Sequence, residues 1–527
     1  MRAALKILAA LVFAAASACN GGGAPEFAPG TSVLRLAEVN DVPTLDPAAG
    51  YDTVSWLFEQ MLFSTLVRYG DADVKLHPDA ALSWTVSPDA TVFTFHLRRD
   101  IRFTSGRAVT SADFRYAIER VLNPKTNSKG MEYFRSIQGA PEFIAGRAAH
   151  LSGIVTPDPW TIIFHLRAPD PIFVDKLAMP FAAAVPHEAV ERWGEDFSRH
   201  PVGSGPFMLK EWIGGQRIVM VKNPHYFIRD LPKLDAVVDL LGVSAELEWL
   251  KFEAGEIDVS AIPTAEFVYV MKTPSLKRLT THQVTVATQY LGMNSQMAPF
   301  TDLRVRQAFN YAIDKHKLIA LLNGRGVVAH GVMPPTLPGF DPDLKGYPYD
   351  PDRARQLLAE AGMKRLNVKL WLLADQTELM VGQSIQQDLA LVGVDLTLKP
   401  IALAPLLDAV RQPNNVPFMV FGWEADFPDP SNFLDVLFSR SQWGANNDTF
   451  YYNPRVEALL KEAAPVTDLK KRYALYDQAE KIIVDDAPWV FLYNPVAYVI
   501  HQPWVHDFVL NPMRPTRLEK VWVSPHH

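Results

Sequence analysis

The sequence predicts an α/β protein with at least two domains. The chain has 527 residues, and single hydrophobic cores stop growing beyond roughly 250–300 residues. Stretches with the two-residue apolar alternation of strands are interleaved with stretches that have the apolar spacing of helices. Apolar residues make up 48% and charged residues 21% of the chain, a composition typical of folded globular proteins and not of disordered ones.

Two similar stretches in the first half predict strands. In "TVFTFHLRRDIRF", Phe93, Phe95 and Leu97 alternate with polar residues, as on the buried face of a strand. A second stretch, "TIIFHLRAPDPIF", repeats this alternation and the letters FHLR. The echo favours two hairpin edges in one small lobe over an array of repeats. Further along, Gly214 and Gly215 predict the turn of another strand pair.

Helices are predicted where capping residues precede a helical apolar stripe. In "VTSADFRYAIERVL", Thr110 can cap a helix and Asp113 follows at the spacing of a capping box. In "YDPDRARQLLAEAG", Asp350 can cap the helix, Pro351 fits its first turn and Gly362 ends it. Near the C-terminus, "TDLKKRYALYDQAEKIIVDDAP" predicts a longer helix, and "WVFLYNPVAYVI" after it predicts a strand.

The charge and hydropathy of the chain exclude two classes of protein. The formal net charge is −7, which argues against nucleic acid as a partner because binding to phosphates needs a basic surface. No stretch after the N-terminus is long and apolar enough to span a bilayer.

Residues 1–18 have the features of an export signal: a charged start, a short apolar run and the small residues Ala16 to Ala18. Cys19 follows and is the only Cys in the chain, so an exported product has no internal disulfide. This position resembles the acylated Cys of bacterial lipoproteins, and residues 19–30 would then be a flexible tether. Ala16 stands where lipoproteins usually have Leu, so a plain secretory signal is the alternative.

Motifs that would indicate an enzyme or a metal site are missing from the sequence. "HEAVE", which begins at His187, lacks the second His of a zinc-protease helix. "VGSGP" places Ser204 between glycines without the spacing of a nucleophile elbow. The 14 His residues show no spacing typical of metal ligands. We therefore expect no catalytic residue, no metal and no cofactor, although an enzyme could spread its residues across the fold.

The segment "FGWEADFPDPSNFL", residues 421–434, contains two acids close together and no cation. Burying a carboxylate without a partner is costly. Either the segment is exposed, or a cation from outside the chain meets Glu424 or Asp426. A third interpretation is purely local: Asp426, followed by Phe-Pro-Asp-Pro, can shape a turn by accepting hydrogen bonds from its own backbone.

Six stretches resemble the extracytoplasmic solute-binding proteins of peptide/nickel-type ABC transporters, the oligopeptide- and dipeptide-binding protein family. They occur in the family's order and extend over nearly all of the chain after the signal. They are "PTLDP", "FHLRRDIRFTSGRAVTSADF", "PVGSGPFMLKEW", "LGMNSQMAPFTDLRVRQAFNYAIDKHKLI", "YDPDRARQLLAEAG" and "GWEADFPDPSNFL".

This resemblance implies an α/β clamshell of the type II periplasmic-binding-protein kind, in which two lobes joined by two strands close on a ligand. A small lobe is inserted in the first lobe. The implied first lobe comprises residues 31–70, 201–288 and 494–527, the inserted lobe residues 71–200, and the second lobe residues 289–493. The two crossovers are expected at "TQYLGMN" and "VFLYN".

The resemblance also implies a role for the segment that begins at Gly422. In the family, the Asp of a Gly-Trp-x-x-Asp stretch lies in the cleft and receives the α-amino group of a bound peptide, and the matching residue is Asp426. Trp423 and Phe427 are expected to wall an apolar pocket beside this charge. Glu424 is expected to be a solvated neighbour. The ligand would then supply the missing cation.

No receptor for the far end of a ligand can be assigned from the sequence. Relatives that hold longer peptides place an Arg or a His there to meet the peptide carboxylate, whereas this chain has Val420 and, in a loose alignment, Met380. Arg411 and Arg440 are nearby in sequence, but Arg residues are usually on the surface. We therefore expect binding that does not depend on a free carboxylate.

Together these observations predict a monomeric, non-enzymatic, lipid-anchored protein in the periplasm or on the outer face of the cytoplasmic membrane. It would capture a peptide or another small amine-bearing solute and deliver it to an ABC permease. The same fold could instead hold an opine, a sugar or a metal chelate. An exported hydrolase, or an adhesin or signalling receptor that keeps the fold without transport, are further alternatives.

Overall fold

The computed structural model of the protein describes residues 27–513 and 516–526. The predicted signal at residues 1–18 and Cys19 lie outside these ranges. Within the described ranges, no helix has the length and apolar character needed to cross a membrane.

Strands extend along almost the whole described chain. The described residues contain twenty: β1 (Val33–Glu38), β2 (Val67–Tyr69), β3 (Leu76–Pro78), β4 (Ala81–Val86), β5 (Val92–Leu97), β6 (Ile154–Asp158), β7 (Thr161–His165), β8 (Phe207–Ile213), β9 (Arg217–Lys222), β10 (Ala236–Leu241), β11 (Val259–Ala261), β12 (Thr280–Val284), β13 (Ala287–Met293), β14 (Gly326–Val328), β15 (Leu366–Leu373), β16 (Val394–Ile401), β17 (Phe418–Glu424), β18 (Trp489–His501), β19 (Val505–His506) and β20 (Trp522–Val523).

Helices alternate with these strands, as the sequence predicts. In the described residues they are α1 (Thr53–Leu62), α2 (Ser111–Leu122), α3 (Met131–Phe134), α4 (Ala140–Ile144), α5 (Phe173–Lys176), α6 (His187–Trp193), α7 (Ala245–Glu253), α8 (Thr264–Lys272), α9 (Pro274–Lys277), α10 (Leu303–Ala312), α11 (Lys315–Leu321), α12 (Pro351–Glu360), α13 (Gln376–Ala390), α14 (Leu403–Val410), α15 (Pro430–Phe438), α16 (Pro454–Ala463) and α17 (Leu469–Asp486).

Two predicted helix starts are confirmed. Thr110 and Asp113 form a reciprocal capping box at the start of α2. Asp350 accepts a hydrogen bond from the backbone N of Arg353 at the start of α12, with Pro351 in the first turn. These caps satisfy backbone donors that have no partner inside the helix.

The first four-stranded sheet has the order β1-β10-β9-β8, in which β1 and β10 are parallel and the other pairs are antiparallel. Strands β8 and β9 form the predicted hairpin around Gly214 and Gly215. Gly215 has a φ of 67°, a left-handed conformation that glycine adopts without steric cost.

A second four-stranded sheet, with the order β4-β5-β7-β6, lies entirely between residues 81 and 165. The two FHLR stretches are β5 and β7, and Phe95 pairs with Ile162 across them. The prediction that they form sheet edges is wrong, since they are the two central strands. Phe93, Phe95 and Phe164 are fully buried, and an apolar strand of this kind is best covered when neighbours pair with both of its sides.

The largest sheet has the order β11-β18-β13-β17-β15-β16. The long strand β18 runs through it: its first half pairs with β13, and its second half pairs with β11 and β12. The two segments predicted as crossovers lie in β13 and β18, and Gln289 pairs with Tyr493 between them. The crossovers are therefore neighbouring strands of one sheet, and β17, which leads into the acidic segment, lies on the other side of β13.

Candidate functional site

A cavity of about 290 Å³ lies between the loop after β17, helix α1 with the residues before it, and Asn511, Met513 and Arg517 near the C-terminus. Residues 178–183, which follow the small sheet in sequence, close another side. The ionisable side chains in its wall include Tyr51, Glu59, Arg68, Glu424, Asp426 and Arg517.

The loop that carries Asp426 is held by helix α15. Asp429 caps this helix by accepting a hydrogen bond from the backbone N of Ser431, and Pro430 occupies the first turn. Asn432, in the same turn, accepts hydrogen bonds from the backbone N of Asp426 and from Nε1 of Trp423. The fully buried Arg472 forms an ion pair with Asp429 over 2.8 Å. These contacts fix the position of the Asp426 carboxylate before any ligand is bound.

The two oxygens of the Asp426 carboxylate have different surroundings. Oδ2 accepts hydrogen bonds from the Tyr133 hydroxyl at 2.8 Å, the Tyr51 hydroxyl at 3.1 Å and Asn432 Nδ2 at 3.2 Å. Oδ1 has no hydrogen-bond partner among the described residues. Burial raises the pKa of Asp426, and the hydrogen bonds from Tyr133, Asn432 and Tyr51 partly offset this effect. The hydrogen bonds of the carboxylate within the described chain are therefore all at one oxygen, Oδ2.

Two tyrosines reach Asp426 from the opposite side of the cavity. Tyr51 precedes α1 and Tyr133 lies in α3, and their hydroxyls are 3.0 Å apart. The ring of Tyr133 also meets Phe427 edge to face, with 6.2 Å between ring centroids. Phe427 is buried among the core residues around the small sheet. The loop after β17 is thus in direct contact with α3 and with the core around the small sheet.

The residues predicted for the site are distributed over two cavities. Asp426 and Trp423 line the first cavity, and Trp423 and Gly422 line a second one of about 390 Å³. Phe427 lines neither and packs on Tyr133 instead. Glu424 is half-buried and lines both cavities, so it is not the solvated neighbour that the sequence predicts.

A side chain at Gly422 would displace the end of the Gln289 side chain. A Cβ atom at this position would lie 2.4 Å from Nε2 of Gln289, which faces it from the neighbouring strand β13. The glycine therefore lets the two strands and the Gln289 side chain share the floor of the second cavity.

Two arginines that no sequence signal indicated line the first cavity. Arg68 and Arg517 both form ion pairs with Glu519. Burial alone would raise the pKa of Glu519, but the two guanidinium groups lower it to about 2. The side chain of Arg517 is 9% exposed, and within the described chain its hydrogen bonds to Glu519 involve Nε alone. Arg517 is also one of the residues that line the cavity.

The residues that the sequence suggested for the far end of a ligand lie elsewhere. Val420 is buried and lines the second cavity, and Met380 packs against the core around the large sheet. Arg411 and Arg440 are exposed, and neither lines a described cavity. The wall of the first cavity nevertheless includes two cationic side chains, Arg68 and Arg517, which come from distant parts of the chain.

Comparison with known proteins places this geometry in a family. The family described as "Bacterial extracellular solute-binding proteins, family 5 Middle" matches residues 75–445. Heme-binding protein A of Haemophilus influenzae is 30% identical over 477 residues, which cover 86% of this chain and 85% of that protein. The Dipeptide-binding protein of Escherichia coli is 29% identical over 489 residues, covering 88% and 89%.

A solved structure has the same architecture. The ABC transporter-associated periplasmic binding protein DppA from Helicobacter pylori, in complex with peptide STSA, is 27% identical with a TM-score of 0.79 and covers 93% of this chain and 98% of its own. The fold is therefore the type II periplasmic-binding-protein clamshell of mixed α/β content. Since the family match extends from the small sheet to beyond the Asp426 loop, the chain belongs to the extracellular solute-binding proteins of the peptide/nickel-type ABC transporters.

Proposed function

We propose that the protein captures a short peptide, or another small solute with a free amine, between its lobes and delivers it to the permease of an ABC transporter. The observation that carries this proposal is Asp426, whose carboxylate lies in a closed cavity with Oδ2 saturated by three donors and Oδ1 open. An ammonium group at Oδ1 would complete the carboxylate with a charge-assisted hydrogen bond.

The surroundings of Asp426 favour a cation over a neutral donor. The Asp426 carboxylate is buried, so its attraction to an ammonium group is stronger there than in solution. The indole of Trp423 lines the cavity next to the carboxylate and provides apolar surface beside the charge.

The proposed place of action is the periplasmic side of the cytoplasmic membrane, with Cys19 as the lipid attachment point. The support is the sequence pattern of residues 1–19, together with the printed description of the H. pylori relative as periplasmic and ABC transporter-associated. The protein would act as a monomer, with the permease as its partner.

Calorimetric titration of the purified protein with a set of dipeptides tests the binding proposal. Native protein should bind at least some of them, and Asp426→Asn should weaken that binding by roughly 2–5 kcal/mol, because it leaves the ligand charge without its partner. Glu462→Gln makes the same charge change at an exposed site on α16 and serves as the control. Absence of dipeptide binding by the native protein would refute short peptides as its ligands, and equal binding by native protein and Asp426→Asn would refute the role of Asp426.

A further inference from the structure

The second cavity shares two lining residues with the first, Trp423 and Glu424 at the end of β17. With a volume of about 390 Å³, the second cavity has room for a long side chain. A ligand that places its ammonium group at Asp426 can therefore extend into it. The inference below rests on the proposed function, because it concerns another part of the same ligand.

The wall of the second cavity combines aromatic and acidic groups. Its lining residues include the aromatic Phe421 and Trp423, the amide Gln289, and the acids Glu378 and Glu424. None of the residues that line this cavity in the described chain is a Lys, Arg or His. Aromatic faces next to a carboxylate are the surroundings in which proteins bind organic cations.

Glu378 has a carboxyl group with an unused acceptor. The residue lies in the first turn of α13, where its backbone N donates a 2.9 Å hydrogen bond to the capping residue Asp375. Its side-chain atom Oε2 is buried and has no hydrogen-bond partner in the described chain. Burial, together with the charge of Asp375, raises the pKa of Glu378 to about 7. An unpartnered buried carboxyl group costs stability, and a ligand cation would remove that cost.

We propose that the second cavity binds a positively charged side chain of the ligand, a guanidinium or an ammonium group, with Glu378 as its ion-pair partner and Phe421 and Trp423 as its aromatic walls. Glu378 thereby sets specificity: it selects basic ligands among those that Asp426 holds by the amine. A guanidinium suits this cavity best, since its plane can stack on an aromatic ring while its edge meets a carboxylate.

A pair of ligands that differ in charge alone tests this assignment. The dipeptides Ala-Arg and Ala-citrulline have side chains of nearly the same shape, but citrulline is neutral. Native protein should bind Ala-Arg roughly tenfold more tightly than Ala-citrulline. In Glu378→Gln the two should bind within about twofold of each other. The variant's retained affinity for Ala-citrulline shows that its fold is intact, and Glu462→Gln should keep the native preference.

Equal binding of the two dipeptides by native protein would overturn the proposal, as would a preference for Ala-Arg that survives in Glu378→Gln. Titration with N-acetyl-Ala-Arg, which lacks the ammonium group, distinguishes a wrong role for Glu378 from a wrong role for Asp426. If acetylation has no effect while the preference for Arg over citrulline persists, the role of Asp426 is wrong and that of Glu378 stands. Binding of neither dipeptide would overturn both.

Discussion

Tyr133 donates a 2.8 Å hydrogen bond to Oδ2 of Asp426. Tyr133 lies in α3 beside the small sheet, whereas Asp426 follows β17 of the largest sheet, so this single contact joins two separate parts of the fold. Tyr51 adds a second phenol to the same oxygen. Both phenols are neutral donors to Oδ2, and the proposed amine site uses the other oxygen, Oδ1.

Removal of the Tyr133 hydroxyl should loosen the closed form. Tyr133→Phe keeps the ring contact with Phe427 but deletes a hydrogen bond to a charged group, which is worth about 1.5–3 kcal/mol. Small-angle X-ray scattering should therefore give a larger radius of gyration for the ligand-free variant than for native protein. Tyr452→Phe, at a ring that is 42% exposed, is the matched control. Identical scattering of native protein and Tyr133→Phe would mean that this contact does not hold the cleft closed.

Stability should fall as the pH rises from about 4.5 to about 7. Burial raises the pKa of five acids to about 7: Asp175, Glu378, Asp435, Asp448 and Glu480. In this interval the folded chain holds protons that the unfolded chain has released. The stabilisation is therefore complete below the unfolded pKa values and is lost as the pH approaches the folded ones.

Glu480 offers the cleanest variant for this effect. Its Oε1 accepts hydrogen bonds from the backbone N of Val332 at 2.7 Å and of Met333 at 2.8 Å, and Gln can keep these bonds without titrating. Urea unfolding at pH 5 and pH 7.5 should show a smaller loss of stability for Glu480→Gln than for native protein, by up to roughly 1.4 kcal/mol per pH unit. A native protein that becomes more stable over this interval would contradict the prediction.

The free carboxylate of a peptide ligand should contribute to binding. The uncharged Val420 and Met380 favoured tolerance of an amidated ligand, but the structure adds Arg517 to the wall of the same cavity as Asp426. Its terminal guanidinium nitrogens can meet an anion. We expect a free dipeptide to bind more tightly than its C-terminal amide.

The contribution of Arg517 can be isolated by comparing variants. In Arg517→Gln the gap between free dipeptide and amide should shrink, whereas Arg440→Gln, at an exposed position, should leave it unchanged. Retained binding of the amide shows that the Arg517 variant is folded. If native protein bound the free acid and the amide equally well, Arg517 would have no role beyond its ion pair with Glu519. The expectation from sequence, that binding does not depend on a free carboxylate, would then stand.

Cys19 should decide where the protein resides. Cys19→Ala removes the only thiol to which a lipid could be attached, so the protein should move from the membrane fraction to the soluble fraction. Detergent phase partitioning of both forms measures this. A native protein found only in the aqueous phase would support the plain secretory signal.

Local signals in the sequence were sufficient for the caps of α2 and α12 and for the hairpin of β8 and β9. Each of these features depends on residues that are close together in the sequence. A helix cap and a hairpin turn can therefore be recognised before the rest of the fold is known. The β5 and β7 stretches were recognised as strands, but their central place in the sheet depends on neighbours that are distant in sequence. Alternation alone does not specify it.

The candidate site likewise combines residues that could be predicted from the sequence with residues that could not. Asp426, Trp423, Phe427 and Gly422 were predicted because a resemblance singled out one continuous segment. Tyr51, Arg68 and Arg517 line the first cavity and Tyr133 bonds to Asp426, but these residues are far apart in sequence and meet only in the folded chain. Glu424 was expected in solvent because nothing in its neighbourhood indicated that the loop after β17 faces a closed cleft.

The most direct test of the account is a four-way calorimetric comparison of native protein and Asp426→Asn, each titrated with a free dipeptide and with its N-acetylated form. Acetylation removes the ammonium and the substitution removes the carboxylate charge. The account predicts that acetylation costs native protein roughly 2–5 kcal/mol and costs the variant far less, because each change removes one side of the same interaction. Equal losses on acetylation in both proteins would mean that Asp426 does not hold the amine.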